Sequence, residues 1–255
     1  MANRETPWKT YRQLFEQRAG RPLPRLEADL DYTQLPRSLA RSLAIFQLGE
    51  SGGGTVVAQA RASTLDAVDD DYTAALAGFV AEENRHASVL AICVRLLGGE
   101  LIRENWTAKL FVVGRRLLGL RLKVLVLLAA EVVGLCYYRL IAQRLPACRL
   151  RDWLQEIAAD EASHLAFHCR FLRSQVRGPV SRWVFRVTWR LLMAVSELVV
   201  MFDHRRALRD LHIQRSDARA LWRAYRETVE ARILDASFCA VPTSEPACAG
   251  LPTTP

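Results

Sequence analysis

Residues 82–86 read Glu82-Glu83-Asn84-Arg85-His86, and residues 160–164 read Asp160-Glu161-Ala162-Ser163-His164. Each stretch contains Glu-x-x-His. On a helix, positions i and i+3 share one face, so a carboxylate and an imidazole leave it side by side. Another carboxylate precedes each motif by 33 or 30 residues: Glu50, closing the largely apolar stretch Leu43–Glu50, and Glu131, inside the apolar run Leu125–Val133. Leu127, Leu128 and Leu135, within a turn of Glu131, offer it no cation. A carboxylate buried in such a run must be paired, protonated or bound to metal.

The order Glu … Glu-x-x-His … Glu … Glu-x-x-His supplies four carboxylates and two imidazoles. Four helices of a bundle hold two divalent ions with that set. Oxygen and imidazole without thiolate suit iron, and a mixed manganese–iron pair fits the same ligands. The expected metal ligands are Glu50, Glu83, His86, Glu131, Glu161 and His164, whose four carboxylates balance the four charges of two Fe ions.

Outward from these motifs the sequence reads as helices. Pro36 opens one running to about Ala62. Asp69, Asp70 and Asp71 supply the cap and first-turn carboxylates of a helix over Asp71–Leu97, which Gly98-Gly99 ends. Further helices are expected over Trp106–Leu118, Leu120–Arg144, Leu150–Val176 and Ser181–Asp210, and a last one from Ser216, as N-cap, to Phe238. The reading is all-α. It divides into an arm over 1–35 with one short helix near Tyr11–Arg18, a bundle over 36–176, a C-terminal helical extension packed on it over 177–239, and a disordered tail over 240–255.

With 255 residues, 51% of them hydrophobic, the chain can bury a sizeable core. Met1–Arg12 is polar, without a signal-like apolar stretch. Val124–Tyr138, the most apolar segment, is short for a membrane span and carries Glu131 at its middle; a cytoplasmic location is expected. Cys93, Cys136, Cys148, Cys169, Cys239 and Cys248 form no CxxC pair and read as reduced thiols that fill the core. The net charge of +8 favours anionic partners, but no nucleic-acid motif accompanies it and nucleic acid is not expected.

Four features have two readings each. Arg182, Arg186 and Arg190, interleaved with Trp183, Phe185 and Trp189, form either a docking face for an acidic carrier or anionic membrane surface, or a solvated stripe paired with Glu197 and Asp203. His168 shares the face of Glu161 and His164, as an extra ligand or as a core histidine beside the ligands. Gly52-Gly53-Gly54 either clears space beside the metals or ends the helix. Gly134 leaves room near the metals or serves helix packing. His204 and His212 read as structural.

The motifs resemble the ferritin-like di-iron carboxylate superfamily over residues 36–176. Glu82-Glu83-Asn84-Arg85-His86 and Asp160-Glu161-x-x-His164 are most similar to the soluble acyl-carrier-protein desaturases, whose motifs read EENRH and DExxH; Ala162 and Ser163 stand where those enzymes carry charged residues. The resemblance implies a ferritin-like four-helix bundle with additional C-terminal helices. It implies that Asp160 accepts a hydrogen bond from a histidine ligand, His86 being the candidate. It also implies an O2-dependent di-iron oxidoreductase of desaturase or oxygenase type, acting on an apolar small molecule or carrier-bound acyl chain with an external, ferredoxin-like electron donor. Membrane-surface contact and oligomerisation stay open. The alternative is a ferritin-like metal-handling or peroxide-scavenging protein without an organic substrate, against which stands the lack of a rubredoxin-like CxxC … CxxC module.

Overall fold

The computed structural model describes residues 6–26, 31–51, 55–105 and 119–235. Within them the chain is all-helical, with no strand. The helices are α1 (Pro7–Ala19), α2 (Arg37–Glu50), α3 (Thr55–Arg61), α4 (Asp70–Leu96), α5 (Leu120–Ala142), α6 (Arg149–Gln175), α7 (Pro179–Asp203), α8 (Arg205–Asp210) and α9 (Arg215–Leu234). The expected helix over Trp106–Leu118, the triple glycine at 52–54, the tail over 240–255 and the thiols of Cys239 and Cys248 lie outside the described residues.

Two helix pairs organise the bundle. The most extensive packing joins α5 to α6, and the next joins α2 to α4. Each pair therefore couples a helix bearing a single glutamate to one bearing Glu-x-x-His. Helix α4 starts as its sequence dictates: the Asp69 side chain accepts from Tyr72 N at 2.7 Å, and Asp70 and Asp71 follow in the first turn. Helix α5 runs for 23 residues, longer than the apolar run alone suggested, and would be long enough to cross a membrane. It is instead a core helix, with 78% of its most apolar window buried inside the protein.

The N-terminal arm is more ordered than expected. Pro7, at a first-turn position where a missing N–H costs nothing, opens the 13-residue α1, which buries Trp8, Tyr11 and Phe15 against the bundle. Glycine makes the contact with α4 possible: a Cβ on Gly78 would lie 2.7 Å from Phe15 Cβ.

The C-terminal extension departs from expectation in two places. The helix expected over Ser181–Asp210 breaks at His204, whose buried ring is held by Ser42 Oγ at 2.6 Å from Nδ1, so α7 ends and the short α8 begins there. The last helix is capped by Gln214 rather than Ser216, which lies inside it and hydrogen-bonds Asp217. Cys93, Cys136, Cys148 and Cys169 are buried free thiols, as core filler requires.

Candidate metal centre

The two Glu-x-x-His turns face each other at the centre of the bundle. One ligand atom from each of Glu83, His86, Glu161 and His164 can be chosen so that all lie within 4.8 Å of one another. His164 Nδ1 is 3.0 Å from Glu83 Oε1 and 3.4 Å from Glu161 Oε2, and His86 Nδ1 is 3.2 Å from Glu161 Oε1. Glu131 joins from α5, with Oε2 3.4 Å from His164 Nδ1. Glu50 closes α2 beside them, and its Oε1 accepts from Tyr138 Oη at 2.6 Å.

Each imidazole turns Nδ1 inward and Nε2 outward, and a carboxylate from the opposite motif holds each outer nitrogen. His86 Nε2 lies 3.2 Å from Asp160 Oδ2, as the resemblance implied, and His164 Nε2 lies 2.8 Å from Glu82 Oε2. These acids fix the tautomer in which Nε2 carries hydrogen and Nδ1 is free to ligate. Sequence reasoning assigned the role to Asp160 but overlooked Glu82, although Glu82 precedes Glu83 just as Asp160 precedes Glu161.

Two arginines of α1 and its C-terminal margin neutralise this outer layer. Arg21 Nη2 reaches both oxygens of Asp160 at 2.8 Å, Arg18 Nη1 lies 3.2 Å from Asp160 Oδ1 and 3.7 Å from Glu82 Oε2, and Arg21 Nη2 is 3.6 Å from Glu82 Oε1. Against the effect of burial, His86 and Arg21 hold the Asp160 carboxyl well below the usual range. The arm carried no periodic signal linking it to the motifs, so these cations were not anticipated.

The inner layer has the opposite character. Glu83 Oε1, Glu131 Oε2, Glu161 Oε1 and the Nδ1 atoms of His86 and His164 are buried without a hydrogen bond. Buried polar atoms are rarely left so, and here five turn toward one point. Carboxylate and imidazole atoms at this spacing fit divalent cations, and the cluster can hold a metal ion.

The protonation pattern agrees. Burial, then Glu161 and Glu83, push the Glu131 carboxyl well up; burial, then Glu83 and Glu161, do the same to Glu50. Burial acts on Glu83 too, but the approach of His164 and His86 outweighs it and brings that carboxyl well down. Both imidazoles rise well above the ordinary histidine value despite burial, His86 chiefly through Asp160 and Glu161, His164 chiefly through Glu131 and Glu161. Protons thus sit where cations would otherwise balance the charge.

His168 stands at the edge. Its Nε2 is 3.8 Å from Glu131 Oε1, neither ring nitrogen has a hydrogen bond, and its ring meets Phe79 edge-on at 4.7 Å between centroids. Burial, then His164, pull it down to about 3. It lies buried beside the cluster, outside the four-residue group. Gly134 faces the site: a Cβ there would come within 3.2 Å of the Tyr138 ring and 3.8 Å of Glu161 Cδ.

The stripe on α7 divides between core and surface. Phe185 and Trp189 are buried, whereas Trp183 is exposed. Arg186 and Arg190 pair with Glu230 of α9, at 2.8 and 2.9 Å, in place of the partners expected for a solvated stripe; Glu197 pairs with Arg219. Comparison with protein-family models, with curated proteins and with solved structures finds no match.

Proposed function

We propose that the chain is a non-haem di-iron oxidoreductase of the ferritin-like kind, with α2, α4, α5 and α6 as its four-helix bundle, acting with O2 on an apolar substrate. One observation carries the reading: five inward-facing ligand atoms without hydrogen bonds, backed by two histidines whose outer nitrogens are each held by an acid of the opposite motif. Glu50, Glu83, Glu131 and Glu161 would hold the ions through oxygen, and His86 and His164 through Nδ1. Ferrous ions held there would supply two electrons for the reduction of O2, restored each turnover by an external donor, while an apolar or acyl chain supplies the other two as it is desaturated, hydroxylated or oxygenated.

The chain's own groups prepare the site. Asp160 and Glu82 orient the imidazoles, Arg18 and Arg21 lie against both acids, and Arg21 helps to keep Asp160 ionised. Phe79, packed edge-on against His164 and His168, excludes water from one wall. Tyr138 holds Glu50 and offers a hydroxyl proton beside it. Gly134 keeps the space beside Glu161 clear of side chain.

The test is anaerobic reconstitution with Fe(II), metal analysis and Mössbauer spectroscopy, followed by multiple-turnover assays with reductant, O2 and acyl-chain or other apolar substrates. Two irons per chain and an oxidised organic product are expected. Fe(II) oxidation that yields only mineral or water would favour the metal-handling alternative, and failure to bind iron would remove both.

A further inference from the structure

Helix α7 presents an apolar face to solvent along almost its whole length. Val180, Trp183, Val187, Leu191, Leu198 and Phe202 are 74, 63, 47, 64, 67 and 59% exposed, and on a helical projection they fall on one side of the axis, opposite buried Phe185, Trp189 and Met193. Every charged residue of the helix (Arg182, Arg186, Arg190, Glu197 and Asp203) lies off that face. The stripe is about 33 Å long at 1.5 Å per residue. Scattered exposed apolar residues need no explanation, but a continuous face of this length marks an interaction surface.

The face ends at a basic pocket. Arg205 lies over the Phe202 ring, 4.5 Å from its centroid. Arg205 and Arg206 then line an open pocket of about 490 Å³ with Arg37 and Arg41 of α2, Ser38, Ser42 and His204; Asp203 is the acid among its lining residues. Arg37, Arg41 and Arg206 form no ion pair among the described residues.

We infer that α7 is a docking helix that lies in the interface of an anionic lipid bilayer, with the pocket at its C-terminal end receiving lipid phosphate. A lipid leaflet offers acyl chains and anionic headgroups in adjacent zones, matching the uncharged face and the arginines that border it. A second copy of the chain matches less well. Antiparallel pairing centred on Leu191 brings the pocket end of one copy to the first turn of α7 in the other, which carries no acid, and parallel pairing sets each arginine against itself. An acidic protein partner suits the pocket but leaves the face without apolar contact. The inference does not depend on what the buried cluster binds.

Co-sedimentation of the full chain with vesicles tests it, comparing phosphatidylcholine alone with an equimolar mixture of phosphatidylcholine and phosphatidylglycerol. Binding to the mixed vesicles, weakened by salt, is expected. Leu191→Glu with Leu198→Glu, and separately Arg41→Gln with Arg206→Gln, should each weaken it by roughly ten-fold or more. These side chains are exposed, so circular dichroism and melting should match the parent chain. The inference fails if the parent chain ignores mixed vesicles, or if the double glutamate variant binds them as well as the parent. It also fails if sedimentation velocity shows a dimer that the glutamates split while vesicles bind neither form.

Discussion

His164 donates its Nε2 hydrogen to Glu82 Oε2 at 2.8 Å, across the gap between α6 and α4. The reciprocal contact, His86 to Asp160 at 3.2 Å, crosses the other way. Each acid precedes the glutamate of one motif yet serves the histidine of the other, so neither histidine is oriented until both helices have docked.

Glu82→Gln and Asp160→Asn should each weaken Fe(II) affinity by about 10–100-fold, because an amide can present a donor to Nε2 and turn the tautomer around. Competition against a chromophoric chelator measures this. Parent-like affinity in both variants would leave the two bonds with a packing role only.

Glu131→Leu replaces a buried carboxyl, already pushed toward its neutral form, by a side chain of similar size that suits its apolar neighbours. The metal-free protein should melt at the same or a higher temperature than the parent. The rise in melting temperature produced by Fe(II) should largely vanish, since stabilisation by a ligand scales with its affinity. Calorimetry with and without the ion separates the two effects.

Gly78→Ala would improve intrinsic helix propensity by about 1 kcal/mol in an exposed helix. Here the added Cβ meets Phe15 Cβ at 2.7 Å, and both atoms are fixed to helical backbones. Net destabilisation of about 1–3 kcal/mol is expected from overpacking, read as a lower urea midpoint. A raised midpoint would mean that α1 yields freely.

His204 gives the fold a sensitivity to acid. Burial pulls its imidazole down to about 3, while the unfolded chain protonates it near the ordinary 6.5. Between these values the unfolded state binds the extra proton, so stability is full above about 6.5 and falls as the pH drops toward 3, by on the order of 4 kcal/mol at most. In His204→Gln, denaturation curves collected across that window should show a shallower decline than in the parent.

The all-helical class was legible because apolar periodicity, the aspartates at 69–71 and the glycines at 98–99 and 178 act locally. The Glu-x-x-His pairs were legible for a similar reason, since three-residue spacing fixes a shared face without knowledge of the partner helix. What stayed hidden depends on neighbours distant in sequence. Arg18 and Arg21 meet Asp160 across some 140 positions of chain, and His204 interrupts an otherwise continuous helical pattern because Ser42, on α2, holds it. Helix α7 shows the same limit: one helix carries apolar residues on both sides, and only packing decides which of them face outward.

The guanidinium groups of Arg18 and Arg21 also give the cluster a front and a back. A cation approaching from the α1 side meets two positive charges that stand against Asp160 and Glu82. Glu50, by contrast, is only partly buried and sits at the very end of its helix. Ion entry should therefore favour the Glu50 end, with Glu50 as threshold and the arginine pair as a closed door.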